Sequence, residues 1–324
     1  YRSEGRSEDL MPNVVSTGRR IWLIYVTLTL LSTGLILLSD IHLWDAVNLA
    51  MVAISTGGFS PHDAGMSYYN SASLEFLLIP VMIAGALPFK MYFLMYRGKA
   101  REIFKNSVVR LIAVLSLAGS AIVVLNLYIL HTISLFDAVR MGTFCTVSGL
   151  TTTGFQNSSL LWLPLPLLVI MLLMLIGGAS GSTAGGIKAN RIILGYEGLV
   201  WWFKRLFVRG SVMVPFKHEG RNIPAKISEL ELSKNMLIIS LYLLTVIVAV
   251  ILALHLAPTQ FEVYQVTFEV ISAVANNGMS FGYLTAASPV TVKWLFILVM
   301  WIGRLEILPV LILIGGFVRG FDLR

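Results

Sequence analysis

The sequence predicts an all-α membrane protein built from repeated units, and three observations support this prediction. The 324 residues are 56% hydrophobic and 13% charged, with a mean hydropathy of +0.81, whereas soluble domains have about 25% charged residues. Long apolar segments recur along the chain, and basic residues gather on alternate connections between them. This composition excludes an ordinary soluble globule and a disordered chain.

Six apolar segments approach or exceed the length of about 20 residues that a membrane-spanning helix needs. Some carry no charge, whereas others include prolines or isolated charged residues. An even number of crossings places both chain ends on the same side of the membrane. The predicted spans are Ile21–Leu38, Leu74–Tyr96, Val108–Leu130, Leu160–Ile176, Met236–Leu256 and Trp294–Val318.

The basic residues orient the chain. All but three of the 24 lysines and arginines lie at the chain ends or on one set of alternate connections, and the exceptions are Arg140, Lys293 and Arg304. Basic connections stay in the cytoplasm, which predicts cytoplasmic termini, a cytoplasmic lead over 1–20 and a multi-pass protein of the cytoplasmic (inner) membrane. Basic residues dispersed beside spans are an ordinary topology signal, so we expect contact with membrane lipid and no nucleic-acid partner.

The three outer connections share one pattern, in which an aromatic–acidic pair opens a short apolar stretch. As helices, these stretches would cover roughly 16–22 Å, which is too short to cross about 30 Å of hydrocarbon. We therefore predict short helices that dip into the membrane and turn back, with the acidic residue at the positive end of the helix dipole. The three stretches are Trp44–Ile54, Phe136–Leu150 and Phe261–Ala275.

A polar, glycine-bearing pentapeptide follows each short stretch. It lies at membrane depth, where irregular backbone must be buried in protein or line water. With no ionised side chain, its backbone carbonyls and its Ser, Thr and Asn oxygens are the groups that can replace the water of a cation. Glycine allows the backbone angles that turn carbonyls to one axis. The predicted ion-binding residues are Ser55, Thr56, Gly57, Gly58, Thr151, Thr152, Thr153, Gly154, Asn276, Asn277 and Gly278.

Other interpretations of these patterns stay open at this point. Each pentapeptide could simply end a helix, although three copies in matching context favour an ion filter. The residues offer no recurring His, Asp or Glu cluster at one depth, and the single cysteine excludes a cysteine-rich metal site. We therefore expect neither an enzyme nor a resident cofactor.

Residues 177–186 form a run of small residues directly after an apolar segment. Each interior glycine costs a helix about 1 kcal/mol relative to alanine, so an unwound segment at membrane depth is expected. Close helix packing is an alternative, whereas a phosphate-binding loop does not fit, because Lys188 follows Ile187 and precedes Ala189. The predicted gate residues are Gly177, Gly178, Gly181, Gly185 and Gly186, with Lys188 and Arg304.

Four motifs give the chain a family resemblance: Ser55–Phe59, Thr151–Phe155, Gly177–Lys188 and Gly303–Glu306. Together they resemble the Trk/Ktr/HKT superfamily of potassium transporters, and within it the TrkH-type membrane subunit. The resemblance implies span–pore helix–filter–span units around a pseudo-fourfold pore, with one key glycine in each filter. It implies uptake of K⁺, or of Na⁺ in some branches, and it makes residues 177–186 an intramembrane gate.

Three of the four expected units are recognisable in this sequence. The resemblance assigns them to family repeats two, three and four, and the first residue is Tyr1 rather than an initiator methionine. We therefore expect a C-terminal fragment, for which the alternative to K⁺ or Na⁺ transport is a chain that does not conduct. The implied units are 21–105, 106–205 and 236–324, with a cytoplasmic linker over 206–235.

The remaining expectations concern charged residues near the gate and the cytoplasmic linker. Arg304 lies within the last predicted span, where a charge is costly and faces the bundle interior. We expect Arg304 to donate to carbonyls freed by the glycine loop, and Lys188 either to act with it or to mark a cytoplasmic helix end. The resemblance further implies a homodimer and a cytosolic nucleotide-binding regulatory subunit of the TrkA type.

Overall fold

The computed structural model describes residues 14–99, 101–130, 133–160, 162–207, 215–218, 221–223, 225–256 and 260–319. Most of the predicted lead, part of the predicted linker and the last five residues lie outside the described residues.

Three helical units follow one another along the chain, and each begins with a long helix. The first unit contains α1 (Val14–Ile36), α2 (Leu43–Ile54), α3 (Ala72–Ala86) and α4 (Phe89–Tyr96), with short 3-10 turns at Leu37–Ser39 and Gly65–Tyr68. After a connecting helix, α5 (Arg101–Lys105), the second unit contains α6 (Ser107–Leu130), α7 (Leu135–Leu150), α8 (Pro164–Ile176) and α9 (Ala189–Leu206). The third unit contains α10 (Ala225–Leu256), α11 (Val263–Val274), α12 (Val290–Leu305) and α13 (Ile307–Arg319).

The first helix of each unit is long and apolar enough to cross a membrane. The spans cover Val15–Ser39, Ser107–Leu130 and Ser228–Leu256, with 25, 24 and 29 residues. At about 1.5 Å per residue even the shortest exceeds the thickness of the hydrocarbon layer. Among the described residues, the sole strands are β1 (Phe216–His218) and β2 (Arg221–Ile223), which pair antiparallel in the linker. The predicted all-α architecture is confirmed.

The segments predicted as spans over 74–96, 160–176 and 294–318, which contain prolines or charged residues, are not single full-length helices. Helices α3 and α4 meet at an angle of 95°. Leu87 is extended there, with φ −81° and ψ 152°, since a residue before proline avoids the helical region. Helix α8 begins only at Pro164, which suits the first helical position, and α12 ends at Leu305, where the C-cap Glu306 has a φ of 65°.

Helix α10 starts inside the predicted cytoplasmic linker over 206–235. The helix begins at Ala225 and extends beyond the apolar segment toward the linker. Charged residues line this extension, and Lys234 pairs with Glu231 one turn away at 3.4 Å. Exposed pairs of this type stabilise a helix slightly, so the polar sequence is compatible with a helix outside the hydrocarbon.

The second unit packs between the other two. Phe144, Val147 and Phe155 join the buried cluster of the first unit. Cys145 and Ile170, also from the second unit, join the cluster built mainly by α10, α11 and α12. Many large apolar side chains on the long helices are exposed instead, as expected for surfaces that face lipid. This arrangement brings the three short helices α2, α7 and α11 to the middle of the molecule.

Candidate ion-binding site

The short helices α2, α7 and α11 have 12, 16 and 12 residues, so they extend about 18–24 Å. Each carries its acidic residue at the N-terminal end. Asp45 and Asp137 lie in the first turns of α2 and α7, and Glu262 caps α11 in a reciprocal pair with Gln265. Because these helices are too short to span, their C-terminal ends lie within the protein at membrane depth.

All three short helices end in the same hydrogen-bonded turn. In α2, Gly57 N donates to Val52 O at 2.8 Å and Thr56 N donates to Ala53 O at 3.2 Å. These two bonds define a Schellman motif, and Thr152 with Thr153 and Asn276 with Asn277 repeat it at the ends of α7 and α11. The turn satisfies two carbonyls of the last helical turn and directs the chain away from the helix axis.

The left-handed residue of each turn is polar and is not glycine, which the sequence analysis did not predict. Thr56, Thr152 and Asn276 have φ values of 53°, 53° and 54°. Glycine is the usual residue at this position, and a β-branched residue there is strained by about 1–2 kcal/mol. The strain at Thr56 and Thr152, and the same conformation at Asn276, make these matching positions candidates for a shared functional role.

The glycines two residues further on bring the three polar segments together. Gly58, Gly154 and Gly278 have φ values of 74°, 88° and 97°. A Cβ atom on Gly58 would collide with the carbonyl oxygen of Thr153, and one on Gly154 would collide with the carbonyl oxygen of Asn277. A Cβ on Gly278 would meet nothing within 4 Å. The segments therefore lie side by side in chain order, with an open sector beside Gly278.

The side chains of the predicted filter residues are largely occupied in supporting this backbone. Thr151 Oγ1 donates to Val147 O at 2.7 Å, and the Asn277 amide donates to Ser148 O at 3.0 Å and to Gly149 O at 3.2 Å. The second contact ties the third filter to the end of α7. With these side chains engaged inside the protein, backbone carbonyls are the main groups available to a cation.

The predicted glycine loop is unwound over residues 177–188, between α8 and α9, so the expectation of a broken helix is confirmed. Its glycines do not share a helix face, so close helix packing through Gly177, Gly181 and Gly185 is wrong. Gly177, Gly181 and Gly186 have φ values of 69°, 77° and 80°. Gly178 packs against Ala86 and Ala184.

The loop touches the ends of all three short helices. Thr183 Oγ1 donates to Ile54 O at 2.8 Å in the first unit, and Gly185 N donates to Thr152 Oγ1 at 2.6 Å in the second. A Cβ on Gly185 would collide with the carbonyl oxygen of Ala275 in the third. The loop therefore lies directly against the C-terminal ends of α2, α7 and α11, on the side from which α9 leads to the linker.

Two basic residues lie beside the loop, near the C-terminal ends of the short helices. Arg304 Nη1 donates to Thr183 O at 3.1 Å, and Lys188 Nζ donates to Ala184 O at 2.9 Å. A cavity of about 40 Å³ lies between them, lined also by Gly185 and Glu306. Arg304 is exposed rather than enclosed in the bundle as expected, and Glu306 pairs with Arg191 of α9 and not with Arg304.

Several polar residues near the site were missed by the sequence analysis. Glu75 of α3 forms a two-fold ion pair with Arg140 of α7, and Glu269 of α11 accepts hydrogen bonds from the segment after Gly278. One signal was available, because Arg140 was one of the three basic residues that violate the charge asymmetry. Among the described residues, no group of three or more His, Cys, Asp or Glu could hold a metal ion.

Three short helices whose C-terminal segments lie side by side, in a frame of helices long and apolar enough to cross a membrane, are the arrangement expected of a membrane transport protein for cations. The chain belongs to the TrkH family: a family model described as TrkH, cation transport protein, matches residues 1–315. The members are transport proteins and not enzymes, as the sequence analysis predicted.

Individual relatives agree with this assignment. An uncharacterized cation transporter of Methanocaldococcus jannaschii is 31% identical over 97% of this chain and 62% of its own length. The Trk system potassium uptake protein TrkH of Escherichia coli is 28% identical over 97% of this chain and 65% of its own length. The crystal structure of the potassium transporter TrkH from Vibrio parahaemolyticus, 26% identical, matches with a TM-score of 0.83 and covers 94% of this chain and 65% of that one. The chain thus spans slightly less than two thirds of the length of these relatives.

Proposed function

We propose that this chain forms most of a pore for the uptake of K⁺, in which residues 55–58, 151–154 and 276–278 are the selectivity filter. One observation carries the proposal: the glycines at 58 and 154 lie against carbonyl oxygens of the neighbouring segments, which brings three equivalent segments into one ring. Relatives that are named potassium uptake proteins support K⁺ as the transported ion.

The electrostatics of the ring suit a monovalent cation. Each of the helices α2, α7 and α11 has about half a negative charge at its C-terminal end, from its aligned peptide dipoles. Three such ends meet close together, and the carbonyls that follow them can replace the water that an entering ion loses. The K⁺ ion is the cargo in this proposal, and the chain uses no cofactor.

The open sector beside Gly278 is the position at which one more unit would complete the ring. No atom of the residues that the structure describes approaches the position of a Cβ at Gly278 within 4 Å, whereas both other filter glycines face a neighbour. We propose that a fourth span–pore helix–span unit fills this sector in the conducting protein, and that the three units present keep the boundaries 21–105, 106–205 and 236–324. A ring left open there would expose polar backbone to lipid, which is costly.

The loop over 177–188 is the proposed gate, because it closes the ring on the side toward α9. Its contacts with Ile54, Thr152 and Ala275 support a position across the path of an ion that leaves the filter. Arg304 and Lys188 add positive charge at the same level, which opposes a cation until the loop moves. Both side chains also hold loop carbonyls and so stabilise the closed form.

The charge distribution and the family resemblance support a proposal about the membrane and the orientation of the protein in it. We propose the inner membrane, with both termini in the cytoplasm. The linker that joins α9 to α10 then faces the cytosol, where a nucleotide-binding regulatory subunit of the TrkA type would bind. Assembly as a homodimer is part of the same proposal.

Uptake of radioactive Rb⁺ by cells that lack their own K⁺ uptake tests this function. The complete gene product is expressed as wild type, as Gly154→Asp and as Gly34→Ala, a control at which a methyl group meets nothing within 4 Å. We expect uptake by the wild type and the control and none by Gly154→Asp, at equal amounts in the membrane. Equal uptake by all three would refute the filter, and inhibition by excess Na⁺ that matches inhibition by K⁺ would refute selectivity for K⁺.

A further inference from the structure

We propose that Glu75, Arg140 and Asn157 form a positioning unit that fixes the second filter segment from the outer side and thereby sharpens selectivity between K⁺ and Na⁺. None of the three needs to touch the ion. The inference rests on the proposed function, because it assigns these residues a role in shaping the filter of a cation pore.

Arg140 and Glu75 form a close, nearly buried ion pair between two units. Arg140 Nη2 lies 2.7 Å from Glu75 Oε1, and Arg140 Nε lies 2.9 Å from Glu75 Oε2. The side chains are 18% and 3% exposed. Such a bidentate pair fixes both orientation and distance, so it locks α7, which carries the second filter, against α3 of the first unit.

Asn157 connects this ion pair to the filter. Its side-chain amide donates to Glu75 Oε2 at 2.6 Å, and its amide oxygen accepts from the thiol of Cys145 at 3.2 Å. Asn157 follows Gly154 by three residues. The carboxylate of Glu75 therefore holds, through one side chain, the backbone that leaves the second filter.

The residues between Gly154 and Asn157 are held toward both neighbouring units. Phe155 is 1% exposed and packs into the buried cluster of the first unit. Gln156 Oε1 accepts from Ser280 N of the third unit at 3.1 Å. Residues 155–157 are thus fixed toward both neighbours, and a shift of Gly154 toward the axis would break these contacts.

The third unit uses a carboxylate for the same purpose, which argues against an accidental contact. Glu269 Oε1 accepts from Ser280 Oγ at 2.7 Å, from Phe281 N at 2.5 Å and from Tyr283 N at 3.3 Å. These residues follow Gly278 as Asn157 follows Gly154. In both cases, a buried carboxylate anchors the chain just beyond a filter glycine: Glu75 of the first unit does so for the second, and Glu269 for its own unit.

A role in selectivity explains why charged groups lie at this position. A buried ion pair often contributes little to stability compared with apolar residues of the same volume, and positional specificity is one reason to retain it. K⁺ and Na⁺ differ in size, so a filter that cannot contract around the smaller ion disfavours it. An anchor behind the outer end of the filter supplies this stiffness.

The test removes the contact of the Asn157 side chain with Glu75 and leaves the ion pair between Glu75 and Arg140 in place. Asn157→Ala and Asn157→Ser both shorten the side chain so that it no longer reaches Glu75. Asn70→Gly is the matched control, because Asn70 Oδ1 also accepts from Arg140, at 3.1 Å, but lies outside the filter segment. Glycine suits the φ of 38° at Asn70. The readout is the ratio of Rb⁺ to Na⁺ uptake by the complete gene product, at matched amounts in the membrane.

We expect both Asn157 variants to lower this ratio by about fivefold, which is the factor that one lost hydrogen bond represents, and Asn70→Gly to keep the wild-type ratio. A merely structural role would lower the uptake of both ions equally. An unchanged ratio in the Asn157 variants, or an equal fall in the control, would overturn the inference while the proposed function stands. A wild type that takes up neither ion would overturn both.

Discussion

The backbone of Gly154 lies directly against the carbonyl oxygen of Asn277, with no room for a Cβ between them. This contact joins the filter segments of the second and third units, and the contact of Gly58 with Thr153 joins the first and second in the same way. Glycine is therefore required at these positions for close approach as well as for its positive φ. The ring depends on both properties.

The packing of α12 against α11 gives a prediction about stability. A methyl group on Gly303 would collide with the carbonyl oxygen of Val274, whereas one on Gly315 would meet nothing within 4 Å. We expect Gly303→Ala to lower the thermal unfolding midpoint in detergent, because α12 must move away from α11. Gly315→Ala should keep or slightly raise it, since alanine favours helix. Equal midpoints for both variants would contradict this packing.

Arg304 gives a prediction about the gate. Its guanidinium donates to Thr183 O in the loop and adds positive charge beside the cavity. We expect Arg304→Ala to raise the uptake of Rb⁺ in the resting state, because the loop loses both a hydrogen bond and a repelling charge. Arg304→Lys, which keeps the charge, should lie between this variant and the wild type. Unchanged flux through Arg304→Ala would count against the gate.

The ion pair between Arg191 and Glu306 links α9 to the break between α12 and α13. Both side chains are largely buried, with 14% and 12% exposed. Arg191→Gln alone leaves a buried carboxylate without its partner, and we expect a loss of about 3 kcal/mol in the free energy of unfolding. The double variant Arg191→Gln/Glu306→Gln should recover most of it. Thermal unfolding in detergent measures both, and additive losses would disprove the coupling.

Cysteine labelling tests the proposed orientation in the membrane. Cys145, the one cysteine in these 324 residues, is 0% exposed, so it should stay unlabelled by a membrane-impermeant maleimide. Phe59 and Phe207 are 76% and 87% exposed, on the outer and cytoplasmic sides of the proposed topology. We expect Phe59→Cys to react in intact cells and Phe207→Cys to react only after the cells are opened. The reverse pattern would invert the topology.

The short helices could be predicted because their evidence is local. Composition, length and the acid at each N-terminus define α2, α7 and α11 within a few residues. The break after Ala86 had a local signal in Pro88, one of the prolines that interrupt the predicted span over 74–96. The break at Glu306 had none, because neither glycine nor proline occupies that position. Its carboxylate pairs with Arg191, which is 115 residues away.

The supports of the site could not be predicted from local patterns. Glu75 and Arg140 are 65 residues apart, and Glu75 and Asn157 are 82 residues apart. Their contacts depend on how α3 and α7 pack, which no periodicity in the sequence specifies. The left-handed backbone conformation of Thr56 and Thr152 could likewise not be predicted, since glycine is the residue that usually indicates such a turn.

The position of bound ions tests the central claim most directly. Crystals of the protein soaked in Rb⁺, measured at the rubidium absorption edge, would show the ion by its anomalous scattering. The account predicts a peak on the axis between the backbone carbonyls next to Gly58, Gly154 and Gly278, and its loss in Gly154→Asp. Ordered Rb⁺ elsewhere in the protein, with none between these glycines, would contradict it.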